Sequence, residues 1–169
     1  MRLADGPHVE CAIEIAAEPK RVWELVSDIS TSARHSPELQ EVEWLDGADG
    51  PVVGARFAGR NRNDHIGEWR TVSRVVEVTP PHTFQWEVIY DGPESSEVLA
   101  IWTYTLEPLA DGAGTRVEHG MRFGSGRSPL QDFVEKNPEK EEQIVDGRLA
   151  LLRTGIEATL AGVKAEAEA

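Results

Sequence analysis

Two strand-like stretches carry the residues best suited to chemistry. From Thr115 to Phe123 the chain alternates, with Val117, His119, Met121 and Phe123 on one side and Arg116, Glu118 and Arg122 on the other. From Val98 to Glu107, Trp102, Tyr104 and Leu106 share a side. Joining the two through their glycine-containing turn, with both apolar sets on one face, puts His119 beside Tyr104 or Leu106. His119 is thus the histidine that parity places inside a strand and facing inward. An imidazole there can act as general acid or base, polarising a ligand carbonyl or taking an acidic α-proton, with Tyr104 as donor. It can equally be a satisfied core histidine. Arg148 is the second unusual residue, a charge within the apolar arc of a long helix. It either snorkels to the rim or anchors a ligand carboxylate or enolate. Asp28, at the end of a short helix, is read as a cap rather than as a reacting group.

Other chemistries lack their residues. The five histidines (His8, His35, His65, His82, His119) have no metal-ligand spacing, and there is no H-E-x-x-H. No Gly-rich phosphate loop joins a strand to a helix, and no G-x-S-x-G elbow occurs. Cys11 is the single cysteine, which excludes an internal disulfide or a cysteine-rich metal site. No metal and no cofactor is expected. A formal charge of −13 argues against nucleic acid and anionic membrane surfaces as partners. With no apolar leader and no run of membrane-spanning length, the expectation is a cytoplasmic protein that does not insert into membranes.

The elements that position these residues can be read in order. A chain of 169 residues suits one domain, spanning 1–169 with its core over about 8–165. His8 to Ile15 is a half-buried strand. Glu18-Pro19 opens a short helix with Val22, Trp23, Leu25 and Val26 as its apolar positions, and Ser30 to Pro37 holds a second short helix or turn. Six further strands follow: Gln40–Asp46, Ala55–Asn63, Glu68–Val78, Thr83–Tyr90, Val98–Glu107 and Thr115–Phe123. Turns rich in Asp, Gly and Pro separate them, among them Asp46-Gly47, Pro80-Pro81, Asp91-Gly92-Pro93 and Asp111-Gly112. After a helical turn over Leu130 to Lys136, one long helix runs from Asn137, read as its cap, to about Ala165. Val145, Leu149, Leu152, Ile156, Leu160 and Val163 form its apolar stripe, and Gly155 and Gly162 on one flank imply close approach by something. The fold class is α+β, a seven-stranded antiparallel sheet curled around the long C-terminal helix.

The order of elements resembles the START-like superfamily, the helix-grip group that includes polyketide cyclase/dehydratases, Bet v 1-like proteins and lipid-transfer domains. The residues that carry the resemblance begin with Pro19-x-x-Val22-Trp23-x-x-Val26-x-Asp28, Ser36-Pro37-Glu38 and Trp44. They continue with Gly54-x-Arg56-Phe57-x-Gly59-x-Asn61-Arg62, Trp69, Phe84-x-Trp86, Trp102-x-Tyr104-x-Leu106 and Gly114-Thr115-Arg116-Val117. Gly155-Ile156-Glu157-x-Thr159-Leu160-x-x-Val163-Lys164 closes the set. Relatives with this pattern usually carry Trp just before Ser-Pro-Glu. Here that place holds His35, a titratable group at the expected pocket mouth.

What the resemblance implies is a cavity between sheet and helix. Phe57, Asn61, Trp69, Trp86, Tyr90, Trp102, Met121, Arg148, Leu152, Gly155 and His35 are its expected ligand-binding residues, and His119 with Tyr104 the candidate catalytic pair. The leading expectation is a binder of a small apolar, aromatic or polyketide-like molecule. A polyketide cyclase/dehydratase of the aromatase type, using the same cavity without a cofactor, is the alternative. An interaction module with a closed core is the second alternative. Monomer and homodimer are both open, since edge strands can pair between chains.

Overall fold

A computed structural model describes residues 1–91 and 97–169. The strands are β1 (His8–Ile15), β2 (Leu39–Trp44), β3 (Arg56–Asn63), β4 (Gly67–Thr79), β5 (Thr83–Ile89), β6 (Val98–Pro108) and β7 (Thr115–Phe123). The helices are α1 (Pro19–Val26), α2 (Ile29–His35), α3 (Pro129–Lys136) and α4 (Glu141–Glu168). The strands form one antiparallel sheet in the order β1-β7-β6-β5-β4-β3-β2. Between α2 and the C-terminal segment the chain is therefore a meander, and α4 returns across the sheet against β1, β7 and the two short helices. This is the α+β helix-grip architecture expected from the sequence.

Register shifts lie between Leu39 and Glu41, between Val75 and Glu77, and between Val88 and Ile89. Each extra residue bends its strand and adds twist, so the sheet curls toward the helix. The turns use side-chain acceptors. Asn63 Oδ1 accepts from the His65 and Ile66 amides, and Asp111 Oδ1 from those of Ala113 and Gly114. Of the Asp91-Gly92-Pro93 turn, Gly92 and Pro93 lie outside the described residues. Asp28 caps α2, its Oδ1 accepting from the Ser30 amide at 2.9 Å and the Ser30 hydroxyl at 2.7 Å.

The long helix departs from expectation at its start. Asn137 is not its cap, because its Nδ2 donates back to the Phe133 carbonyl at 3.1 Å and finishes α3 instead. Pro138–Lys140 forms a separate 3₁₀ turn, and α4 begins at Glu141. Its first turn is acidic, as the positive end of a helix favours, and Glu141 accepts from the Arg2 guanidinium and the Leu3 amide. The stripe holds: Val145, Leu152, Ile156, Leu160 and Val163 are buried, and Leu149 packs at its margin. Full burial of one such aliphatic side chain contributes about 1.5–3 kcal/mol. The glycines answer differently. A Cβ on Gly162 would lie 2.1 Å from Cγ of His35, so this glycine makes the notch that receives the imidazole. At Gly155 a Cβ would meet Pro37 only at 3.8 Å, ordinary contact.

Candidate functional site

Curl and helix do not close on each other. Between them lies a cavity of about 860 Å³, within the range of small-molecule sites. The closed core considered as an alternative is therefore not what this interior has. At depth the walls are Phe84, Ile156 and His119, all nearly inaccessible, while Tyr90 and Leu151 at the mouth are exposed.

Alternation along the strands supplies the wall. Phe57, Gly59 and Asn61 come from β3, Trp69, Thr71 and Ser73 from β4, Trp86 and Val88 from β5, Ala100 and Trp102 from β6, and His119 and Met121 from β7. β3 and β4 pair without a shift from Arg56 to Asn63, so the alternation through Gly59 is unbroken. Arg148, Leu152, Gly155 and Ile156 of α4 close the other side. Trp86 and Trp102 stack with their planes 7° apart and ring centres offset by 6.2 Å. Phe57 extends the aromatic wall edge-on to Trp86 and itself packs edge-on against Trp44.

His119 sits at the centre of this wall. Tyr104 and His119 are direct partners across β6 and β7, and their rings stack at 3.7 Å with planes 4° apart. Nδ1 of His119 lies 2.9 Å from the Thr103 carbonyl. A carbonyl only accepts, so Nδ1 carries the hydrogen and Nε2 holds a free lone pair. Among the described residues Nε2 has no hydrogen-bond partner, and no enclosed side-chain nitrogen or oxygen is left unsatisfied. On a cavity-lining ring, this nitrogen faces open space. Burial pulls the imidazole down to about 4 from an ordinary 6.5, only partly opposed by the Thr103 bond, so His119 is neutral at pH 7.

Tyr104 does not reach the cavity. It is 1% exposed behind His119, with its hydroxyl 3.4 Å from Ser32 Oγ, and burial pushes the phenol up to about 12. Parity places it on the correct face, but His119 stands in front of it. His35 is also displaced from its expected place. Its ring seats against Gly162, and Nε2 pairs with Glu166, which also takes Arg34 at 3.0 Å. The imidazole thus fastens α2 to the end of α4 and is not among the residues lining the cavity. Tyr90 lines the mouth and is 52% exposed, standing just past the end of β5.

Arg148 neither snorkels free nor waits for an anion. It grips Glu38 through two parallel bonds, Nη1 to Oε1 at 2.5 Å and Nη2 to Oε2 at 2.9 Å, with both side chains under one-fifth exposed. The guanidinium also lies 5.8 Å from the centre of the Trp69 ring. Asn63 adds a third bond to Glu38 at 3.3 Å. Two further arginines of the lining are ion-paired at the half-exposed rim, Arg70 to Asp91 and Arg127 to Asp132 and Glu135. Glu38, Thr71, Ser73 and Ser32 are wall residues that sequence reasoning did not assign. The signal for Glu38 was present in Ser36-Pro37-Glu38, but its partner stands 110 residues away. Among the described residues no cluster of His, Cys, Asp or Glu could hold a metal ion, and no helix is long and apolar enough to cross a membrane.

The family model for polyketide cyclase / dehydrase and lipid transport matches residues 7–168. Among solved structures the chain is similar to the Polyketide_cyc-like protein Cgl2372 from Corynebacterium glutamicum. Identity is 32% over 93% of this chain and 88% of that one, with a TM-score of 0.62. It is also similar to the di-domain ARO/CYC protein BexL of the BE-7585A biosynthetic pathway, at 18% identity, 96% of this chain, 50% of that chain and a TM-score of 0.69. TTHA0849 from Thermus thermophilus matches at 19% identity over 94% of each chain, with a TM-score of 0.60. The last two likenesses are of fold. No curated protein matches the sequence.

Proposed function

Since the chain belongs to the polyketide cyclase / dehydrase and lipid transport family, we propose that it binds a small, largely apolar aromatic or polyketide-like molecule between its sheet and α4. The observation that carries this reading is the cavity of about 860 Å³ with two stacked indoles and His119 in its wall. Flat indole faces favour a planar guest, and a few polar groups among apolar ones suffice to orient it. That BexL is an ARO/CYC protein of a biosynthetic pathway supports a guest of the polyketide kind.

A cyclase or dehydratase is the second reading, favoured by the unpartnered Nε2 of His119 at the cavity wall. There the walls would limit which carbons of a reactive chain meet, and His119 would move a proton. The same burial weighs against it. A general base works best with a pKa near the operating pH, and an imidazole held at about 4 is a weak base in neutral solution. Tyr104, screened behind His119, offers no compensating acid. Binding is therefore the function the geometry supports best.

Native mass spectrometry of freshly purified protein tests it, comparing wild type with Leu152→Trp, which fills the cavity from α4. The expected result is an added small-molecule mass in wild type that is lost on denaturation and is depleted in the variant. Bare protein in both, together with no calorimetric heat from neutral polycyclic aromatics, would count against the binding reading.

A further inference from the structure

The cavity's polar groups are not interchangeable, and their arrangement narrows what kind of guest fits. Three arginines line it, and each already holds a carboxylate of this chain. Arg70 and Arg127 stand half in solvent, but Arg148 reaches inward. Glu38 satisfies its guanidinium with the bidentate geometry that a ligand carboxylate would use. A carboxylate entering the cavity would have to displace Glu38, and a chain of charge −13 gives it no compensating attraction.

On the opposite wall, the His119 tautomer is fixed by the Thr103 carbonyl, so the edge facing the cavity accepts a hydrogen and cannot donate one. Ligand ketones and ethers are acceptors too and find no partner there. A hydroxyl does. Ser32, Asn61, Thr71, Ser73 and Thr159 also line the cavity, but an amide and hydroxyls each present both donor and acceptor character and discriminate less. Resting on the binding reading above, we propose that the site selects neutral aromatic molecules bearing a hydroxyl group. Nε2 of His119 receives the hydroxyl hydrogen, and Glu38 keeps carboxylates out by occupying Arg148.

Three probes on one ring system separate the terms: 2-naphthol, 2-methoxynaphthalene and 2-naphthoate, titrated calorimetrically at pH 7 into wild type, His119→Phe and Glu38→Gln. In wild type, 2-naphthol should bind about threefold to tenfold more tightly than 2-methoxynaphthalene, the span of one net hydrogen bond, and 2-naphthoate most weakly. His119→Phe should erase the difference in affinity between the two neutral probes. Glu38→Gln should raise 2-naphthoate affinity about tenfold relative to that of 2-naphthol. Should His119→Phe fail to fold, the ¹⁵N resonance of Nε2 in the wild type decides: it should shift with 2-naphthol and not with 2-methoxynaphthalene. Equal affinity for the two neutral probes in wild type, or no movement of Nε2, overturns the His119 assignment. Wild-type binding of 2-naphthoate as tight as that of 2-naphthol overturns the Glu38 assignment. If none of the three binds, the binding reading falls and this proposal with it.

Discussion

Burying a neutral imidazole makes stability depend on pH in a direction that can be worked out. His119 is held at about 4 in the folded protein against an ordinary 6.5, so the unfolded chain binds the proton more readily. Its share of stability is complete above pH 6.5 and is lost as pH falls toward 4. Each state gains RT ln(1 + 10^(pKa − pH)) from protonation. Between pH 8 and pH 5 the unfolded state gains about 2 kcal/mol and the folded state almost nothing, and the full loss below pH 4 approaches roughly 3 kcal/mol. His119→Asn supplies the comparison, because an amide can still donate to the Thr103 carbonyl and does not titrate. Urea unfolding at pH 8, 6.5 and 5 should show wild type losing about 2 kcal/mol more than the variant across the series. Ion-paired carboxyls held low, such as Glu166 and Glu168, destabilise only as pH falls below the ordinary carboxylate value, so they lie outside this window. Equal pH slopes for the two proteins would refute the account of His119 as a buried neutral acceptor.

Three further outcomes follow from the packing. Gly162→Ala should evict the His35 ring from its notch, with overpacking of about 1–3 kcal/mol partly offset by about 1 kcal/mol of helix propensity; thermal unfolding should show a net loss near 1 kcal/mol, and a gain would mean the ring moves aside freely. Gly124→Ala brings a Cβ to 2.1 Å from the Val98 carbonyl oxygen, a backbone atom that cannot rotate away, so urea denaturation should show a loss of about 2 kcal/mol or more. Arg148→Met strands the mostly enclosed Glu38 carboxylate and should cost about 2 kcal/mol, whereas the double variant Glu38→Leu/Arg148→Met should recover most of it; a double variant no more stable than the single one would remove stranded charge as the cause.

Much of the fold was legible because it rests on short-range patterns. The bounds of β1 and β7 match the alternation read from the sequence, and parity with one turn puts His119 beside Tyr104 or Leu106, of which the register takes Tyr104. What failed had non-local causes. Tyr90 lies just past the end of β5, at the cavity mouth and half in solvent, where strand parity no longer fixes how deep a side chain sits. Asn137 has the makings of a cap for α4, but its amide is engaged with the preceding helix. Gly162 is the point of close approach that its place in the helix implies, and its occupant is the same His35 expected at the cavity. At the site, strand parity brings the wall residues together, but it says nothing of depth, so it could not show that His119 screens Tyr104. The Glu38–Arg148 pair joins the segment before β2 to α4, a contact no periodicity reveals.

The stacked indoles of Trp86 and Trp102 have a practical consequence. At 6.2 Å and nearly parallel, they lie close enough for their electronic transitions to couple, which gives the near-ultraviolet circular dichroism a signature of the pair. A guest sliding along either face, or prying the rings apart, perturbs that coupling directly. The empty and filled protein are therefore distinguishable by light alone, with no label and no knowledge of the guest.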